Sequence, residues 1–141
     1  MIDSNEINLL NRESLQLYKD FLSKCSDVEL STPMPAGWTV SAVLGHLVFW
    51  DQRGLTLLEK WEKDGIDYSA IDTDVVNEVT RFLCLAIPPR AAVDLFFTTA
   101  ERINNRIAKL DAESITEIEE KGKNVHLNRA KHRMIHLEEI K

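Results

Sequence analysis

Turn-forming residues are scarce in this sequence. Of its 141 residues only five are glycine and four are proline, and seven of these nine gather around positions 33–37, 64–65, 88–89 and 122. The segments between these positions show helical periodicity and little of the alternation between apolar and polar residues that is typical of strands. The scarcity of glycine and proline therefore predicts an all-α fold with long helices.

Cysteine is equally rare. Cys25 and Cys84 each lie among apolar residues in a helical pattern, and no C-x-x-C spacing is present. Two isolated cysteines are typical of buried free thiols in a reducing compartment, and a disulfide between them is the less favoured alternative.

The sequence also lacks a long apolar run and a basic leader. No stretch reaches the roughly 18 consecutive apolar residues of a transmembrane helix, and the first residues do not have the pattern of a secretory signal. Lysine and arginine number 17 against 23 aspartates and glutamates, which gives a net charge of -6. Because an acidic surface repels phosphate backbones, we expect a protein that binds no nucleic acid. Because both the long apolar run and the signal pattern are missing, we expect it to be cytoplasmic and to span no membrane.

Apolar residues (44%) and charged residues (28%) occur in ordinary globular proportions. The periodic segments predict helices at about 5–26, 39–63, 74–85, 89–110 and 124–140, with a polar linker at 111–123. In the first of them Ile7, Leu10, Leu17 and Phe21 share one face, which we expect to be buried. Four long helices pack by default as a four-helix bundle. We therefore expect residues 1–141 to form a single domain, a four-helix bundle with one short extra helix in its long connection.

Three of the four histidines form a suggestive set. His132 and His136 lie one turn apart on the last helix, so both imidazoles can reach one ion. His46 lies at the edge of an apolar arc, where a buried imidazole needs a partner for its nitrogens. We interpret the three as ligands of a divalent metal ion. The plainer alternative is a surface pair and a His46 bonded to a carbonyl or water. His126 lies off this face and is interpreted as a surface residue or an outer partner of the site.

The segment from Gly37 to Asp51, GWTVSAVLGHLVFWD, resembles the second helix of the DinB superfamily. This family includes the N-terminal domain of mycothiol-dependent maleylpyruvate isomerases and bacillithiol transferases. The late H-x-x-x-H pair also resembles the family pattern, and the likeness spans nearly the whole chain. The resemblance implies a four-helix bundle in up-down-down-up order, with the family's metal ligands falling on His46, His132 and His136.

Such a site has a definite chemistry. Three neutral imidazoles leave open coordination positions on Zn²⁺, Ni²⁺, Fe²⁺ or Mn²⁺, and the ion lowers the pKa of the water or thiol that it binds. The resemblance implies an S-transferase that uses a low-molecular-weight thiol and a small-molecule substrate, whereas bound water would give a hydrolase, and the sequence does not choose between them. The alternative from another class is a non-catalytic four-helix module for binding or stress protection.

Charged and aromatic residues near the histidines are candidate helpers. Glu139, three residues after His136, is a candidate to orient an imidazole or to act as a base. Arg53 projects near His46 and is a candidate to receive an anionic substrate. Asp51 lies far from His46 in helical projection and is interpreted as solvated. Trp38 and Trp50 are interpreted as core aromatics.

The last helix carries a second apolar stripe, which consists of Leu127, Ala130, Met134 and Leu137. Their spacing is heptad-like, and the stripe lies almost opposite the histidine pair. In projection Val125 lies between the two histidines and Ile135 and Ile140 lie on either side, which suggests that the pair points inward. Because both faces need cover, we expect a homodimer through the stripe. A short helix or loop of the same chain is the alternative.

Overall fold

The computed structural model describes residues 3–141, and this part of the chain is all-helical, with no strand. Its elements are α1 (Ser4–Leu22), α2 (Asp27–Ser31), α3 (Val40–Asp64), α4 (Thr73–Ala86), α5 (Pro89–Ala108), α6 (Ala112–Glu120), a 3₁₀ turn (Asn124–His126) and α7 (Arg129–Ile140). The predicted all-α class is confirmed. Within residues 3–141 no helix combines the length and the apolar character needed to cross a membrane.

Polar side chains and proline determine where the long helices begin. Asp3 accepts hydrogen bonds from the first turn of α1, and Thr39 accepts one from the Ala42 N–H at the start of α3. These oxygens satisfy N–H groups that have no partner within the helix. Pro89 lies in the first turn of α5, where its missing N–H is not needed. The predicted starts of these three helices are confirmed to within a residue.

Two other predicted boundaries are wrong. The first helix ends at Leu22 rather than near residue 26, because a separate helix, α2, follows with Ser26 as its N-cap. The Ser26 side chain accepts from the Glu29 N–H, and the Glu29 carboxylate accepts from the Ser26 N–H, which is a capping box. The last helix begins at Arg129 rather than near residue 124, because Asn128 caps it.

The predicted polar linker at 111–123 contains helix α6 instead. Asp111 caps α6 by accepting a hydrogen bond from the Ser114 N–H at 2.7 Å, and this bond lowers the pKa of Asp111. Ile115 and Ile118 are buried on the inner face of α6. The sequence did not indicate this helix because only two isoleucines mark its apolar face. The many acidic residues of the segment lie mostly on the exposed side of the helix.

Helix α3 is the centre of the packing. It contacts α2, α4, α5 and α7, while α1 contacts α5 and α7. The helices α1, α5, α3 and α7 are therefore joined by a closed ring of contacts, and α7, with 12 residues, is shorter than the 14-residue α4. One cluster of buried apolar side chains includes Leu44, Phe96 and Tyr18, and a second includes Leu58 and Ile103.

The buried face of α1 differs in part from the predicted one, since Ile7 and Phe21 are partly buried against the core clusters but the other two predicted residues are exposed. Leu10 and Leu17 are 38% and 45% exposed. The face that packs inward consists of Asn11, Ser14, Leu15, Tyr18 and Leu22. Periodicity counts only apolar residues, and it missed this face because two of its members are polar side chains with partners on α7, described below.

The second apolar stripe, formed by Leu127 just before α7 and by three residues of α7, is covered by the same chain. Leu127, Ala130 and Leu137 are buried, and Met134 and Leu137 pack in the cluster that contains Leu15 of α1. This outcome matches the alternative to a dimer seam. The homodimer stays a prediction, but the stripe is not available to form its interface.

Gly45 permits the close approach of α3 and α4. A Cβ atom at this position would lie 2.9 Å from Cys84 Sγ and 3.1 Å from Cys84 Cβ. We expect Gly45→Ala to lower the free energy of unfolding by about 1–2 kcal/mol, because overpacking outweighs the roughly 1 kcal/mol that alanine gains over glycine in a helix. Denaturant unfolding of Gly45→Ala, Cys84→Ala and the double variant measures this. The double variant should lose less than the sum of the singles, and a Gly45→Ala protein as stable as the wild type would contradict the packing.

Candidate metal centre

His46 enters the site from the middle of α3. Its side chain is buried, with a 7% exposed fraction. Two tryptophan rings approach it edge-on, with centroid distances of 5.7 Å to Trp38 and 6.4 Å to Trp50. Trp38 packs against the core as predicted. The imidazole of His46 thus packs against two aromatic side chains.

His132 and His136 complete the cluster from α7. The Nε2 atom of His132 lies 3.2 Å from Nε2 of His46 and 3.1 Å from Nε2 of His136. Ring centroids are 5.1 Å apart for His46 and His132 and 4.7 Å apart for His46 and His136. One ligating atom from each of the three residues falls within 4.8 Å of the others. Rings that are 86 residues apart in sequence thus meet at one point, as the sequence predicts.

The arrangement of the nitrogens fits a cation. An imidazole nitrogen offers one in-plane position, either an N–H or a lone pair. Nε2 of His132 faces two other Nε2 atoms, so it forms a good hydrogen bond with one of them at most. Zn–N bonds of about 2.0–2.1 Å in a tetrahedral site place the ligand nitrogens about 3.3 Å apart, close to the spacings of 3.2 and 3.1 Å that His132 makes with His46 and His136. The three histidines can therefore hold a divalent metal ion.

Glu139 holds one of the three rings. Its Oε2 atom lies 2.9 Å from Nδ1 of His136, one turn along α7. A proton on Nδ1 donates to this carboxylate and leaves the Nε2 lone pair facing the other histidines. Metal-bound histidines commonly have such a partner, which fixes the tautomer and raises the basicity of the ligand. Of the two roles predicted for Glu139, this contact fits the orientation of an imidazole.

Burial keeps two of the rings uncharged. It lowers the pKa of His46 to about 4, and the charge of His136 adds to this lowering. Burial likewise lowers the pKa of His132 to about 3, with further contributions from His136 and His46. Because both pKa values are well below 7, both imidazoles are neutral at neutral pH and their lone pairs are available to a metal ion.

Asp51, predicted to be solvated, is instead 2% exposed and lies beneath the site. Its Oδ1 accepts from Arg129 Nε at 2.8 Å, and its Oδ2 accepts from Arg133 Nη2 at 3.2 Å. One buried carboxylate thus forms ion pairs with two guanidinium groups of α7, the helix that carries two of the histidines. The network fixes α7 against α3.

Asn11 of α1 extends this network. Its Oδ1 accepts from the backbone N–H groups of Arg129 and Ala130, both at 3.0 Å, and so caps the first turn of α7. Its backbone carbonyl accepts from Arg133 Nη1 at 3.1 Å. Tyr18 donates its hydroxyl to the Arg133 carbonyl at 2.6 Å, and burial raises the pKa of Tyr18. The position of α7, and with it of two histidines, depends on polar contacts from α1 and α3.

The three histidines lie in the wall of a cavity of about 720 Å³. We call it the histidine cavity, and its lining includes His46, Trp50, Arg53, His126, His132 and His136. A cavity of this volume falls in the range of about 300–1,000 Å³ that small-molecule sites occupy. A small molecule bound there reaches the three imidazoles.

The cavity wall contains residues that were predicted to lie elsewhere. Trp50 is only partly buried and donates its indole N–H to Asn77 Oδ1 at 3.0 Å, so it belongs to the wall rather than to the core. Val125 and Ile135, expected to frame an inward-pointing pair, are 62% and 53% exposed and line the cavity. The histidine pair faces the cavity, while the opposite stripe of α7 faces the core.

His126 is a partly buried residue of the cavity wall, where the sequence suggested a surface or outer position. Its ring lies edge-on to Trp61 at 5.2 Å, and its Nδ1 atom is buried without a hydrogen-bond partner among residues 3–141. Burial and the positive charges of Arg129, Arg53 and Lys123 lower the pKa of His126 to about 4.

This lowered pKa predicts a pH-dependent stability. An unfolded histidine has a pKa of about 6.5, so between about pH 6.5 and 4 the unfolded chain binds a proton that native His126 does not. The free energy of unfolding therefore falls as the pH is lowered through this window, and His126 contributes about 1–2 kcal/mol after allowance for its partial exposure. Urea unfolding at about pH 7 and about pH 4.5 should show a smaller loss in His126→Gln than in the wild type. Equal losses in the two proteins would contradict the prediction.

The structure brings the predicted site residues into one region. His46, His132 and His136 converge, Glu139 bonds to His136, and Arg53 lies in the wall of the same cavity. Sequence reasoning missed the Asp51 network, for which only the aspartate and the arginines themselves were visible as a signal.

No model of a known protein family matches this sequence, and no curated protein or solved structure matches it.

Proposed function

We propose that this protein is a divalent-metal-dependent enzyme of the DinB class that acts on a small-molecule substrate. The observation that carries the proposal is the convergence of three histidine nitrogens within 4.8 Å of one another in the wall of a cavity of about 720 Å³. Structural zinc sites use four protein ligands, whereas catalytic sites use three and keep a position for water or substrate.

Four residues of the chain would have distinct roles in this site. His46, His132 and His136 hold the ion, and Glu139 positions His136 through the Nδ1 contact. A bound Zn²⁺, Ni²⁺, Fe²⁺ or Mn²⁺ ion would lower the pKa of a coordinated thiol or water and so supply a nucleophile at neutral pH. With a low-molecular-weight thiol the enzyme is an S-transferase, and with water it is a hydrolase. We favour thiol transfer because of the resemblance to the DinB superfamily.

We also propose that the ring of α1, α5, α3 and α7 is a four-helix bundle in up-down-down-up order, with α4 in the long connection. The pairwise contacts of these four helices support the bundle, and the up-down-down-up order rests on the resemblance to the DinB superfamily. We also propose that the protein is cytoplasmic and that it forms a homodimer.

The activity is tested with tag-free protein loaded separately with each of the four ions. Conjugation of a low-molecular-weight thiol to an electrophilic acceptor is followed by loss of free thiol, and hydrolysis is followed on small esters and amides. We expect metal-dependent turnover in the wild type that is absent in metal-free protein and in His46→Ala. Glu101→Ala, which changes an exposed residue of α5, should retain the activity.

The opposite outcome is equally clear. If protein that holds one ion per chain accelerates neither reaction beyond the same concentration of ion in buffer, the enzyme proposal is wrong. The non-catalytic binding or stress-protection module is then the favoured function.

A further inference from the structure

The wall of the histidine cavity carries an excess of positive charge. Arg53, Arg129 and Lys131 line it, and none of the described residues in its lining is aspartate or glutamate. The chain as a whole has the opposite balance, with 23 acidic residues against 17 basic ones. A cleft of one sign concentrates small ligands of the other sign.

Two of these cations have no ion-pair partner among residues 3–141. Arg129 pairs with Asp51 at 2.8 Å, a carboxylate that it shares with Arg133. By contrast, no carboxylate within the described residues lies at ion-pair distance from Arg53 or Lys131. Arg53 and Lys131 thus present uncompensated charge to the cavity.

Arg53 is also held in place. Its Nη2 donates to the Ser69 carbonyl at 3.1 Å, and its Cζ atom lies 5.8 Å from the centre of the Trp50 ring. The centre of Trp50 is in turn 6.4 Å from that of His46, so Trp50 lies next to both the Arg53 guanidinium and the proposed ligand His46. A guanidinium has five N–H donors in a fixed fork, and those not used by Ser69 match the two oxygens of a carboxylate or phosphate.

The pKa of His126 is lowered by burial and by neighbouring positive charges. The lowering of its pKa arises first from burial and then from Arg129, Arg53 and Lys123. Arg53, Lys123 and His126 also line a neighbouring cavity of about 210 Å³. The positive charge therefore continues along the wall beyond the three histidines.

We propose that Arg53 and Lys131 form an anion subsite of the histidine cavity, and that the substrate is a small molecule that carries a carboxylate or phosphate group. That the bound molecule is a substrate rests on the proposed function. The binding of an anion by these two side chains does not rest on it.

The test uses two probes of nearly equal shape, benzoate and the neutral benzamide, titrated calorimetrically or by NMR into the full chain. We expect benzoate to bind more tightly than benzamide and to lose affinity as salt is added. Arg53→Gln should weaken benzoate binding about tenfold or more, since a charge-assisted bidentate contact is lost. Lys131→Gln, a change at an exposed position, should weaken it less. Arg102→Gln removes the same charge from an exposed position on α5 and should leave both affinities unchanged.

The metal and the anion subsite are separated by one further variant. In His132→Ala, benzoate affinity that depends on Arg53 should persist even though the metal is lost, so that a failure of the metal proposal leaves the subsite standing. Phenyl phosphate in place of benzoate shows which anionic group binds more tightly. The subsite proposal is wrong if benzamide binds as tightly as benzoate, or if neither Arg53→Gln nor Lys131→Gln weakens benzoate binding.

Discussion

Asp51→Ala is expected to lower the free energy of unfolding by about 3–5 kcal/mol. The substitution leaves the guanidinium groups of Arg129 and Arg133 buried without a counter-charge, and removal of one partner from a buried ion pair typically has an effect of this size. Arg133 is fully buried, and its side chain has no other carboxylate partner among the described residues. Denaturant or thermal unfolding measures the change.

The matched control is Glu101→Ala. Glu101 pairs with Lys19 at 3.5 Å, and both side chains are about half exposed. Exposed ion pairs contribute about 0–1 kcal/mol, and alanine is favourable within a helix, so this variant should unfold close to the wild type. If Asp51→Ala and Glu101→Ala unfold alike, the buried network does not stabilise the fold as described.

The second large effect is the loss of metal affinity in His132→Ala. His132 contributes the nitrogen that lies between those of His46 and His136. Loss of an outer partner of a metal ligand alone typically weakens binding by about 10–100-fold, so loss of the ligand should weaken it by more than about 100-fold. Glu139→Gln should have the smaller effect, about tenfold, because the partner of His136 is weakened but retained. Competition titration with a chromophoric chelator measures these affinities on tag-free protein.

His126→Ala serves as the histidine control, because His126 lies in the same cavity wall but outside the cluster of three. It should bind metal as the wild type does. Comparable losses in His126→Ala and His132→Ala would show that the metal binds elsewhere, or that the loss reflects a damaged fold.

What could be predicted from the sequence depends on how far apart the interacting residues lie. His132 and His136 are one turn apart, so helical spacing alone places them on one face. Linking them to His46 across 86 residues required the resemblance of the segment around His46 to a known family. The helix starts at Thr39 and Pro89 were also predictable, because capping is a local property.

The network beneath the site had no local signal. Asp51 is separated from Arg129 by 78 residues and from Arg133 by 82. In helical projection Asp51 simply lies away from His46, and a charge on that face is usually solvated. The same reason explains the error on α1, where the buried Asn11 and Ser14 find hydrogen-bond partners in Arg129 and Arg133 of α7. The sequence of one helix does not indicate which hydrogen-bond and ion-pair partners the facing helix provides.

X-ray absorption of tag-free wild-type protein loaded with one Zn²⁺ or Ni²⁺ ion per chain tests the proposed site most directly. For zinc we predict three imidazole nitrogens at about 2.0–2.1 Å and at least one further oxygen or sulfur ligand from outside the chain. A first shell with fewer than three imidazoles, or an ion bound only by oxygen, would contradict the assignment of His46, His132 and His136 as the metal ligands.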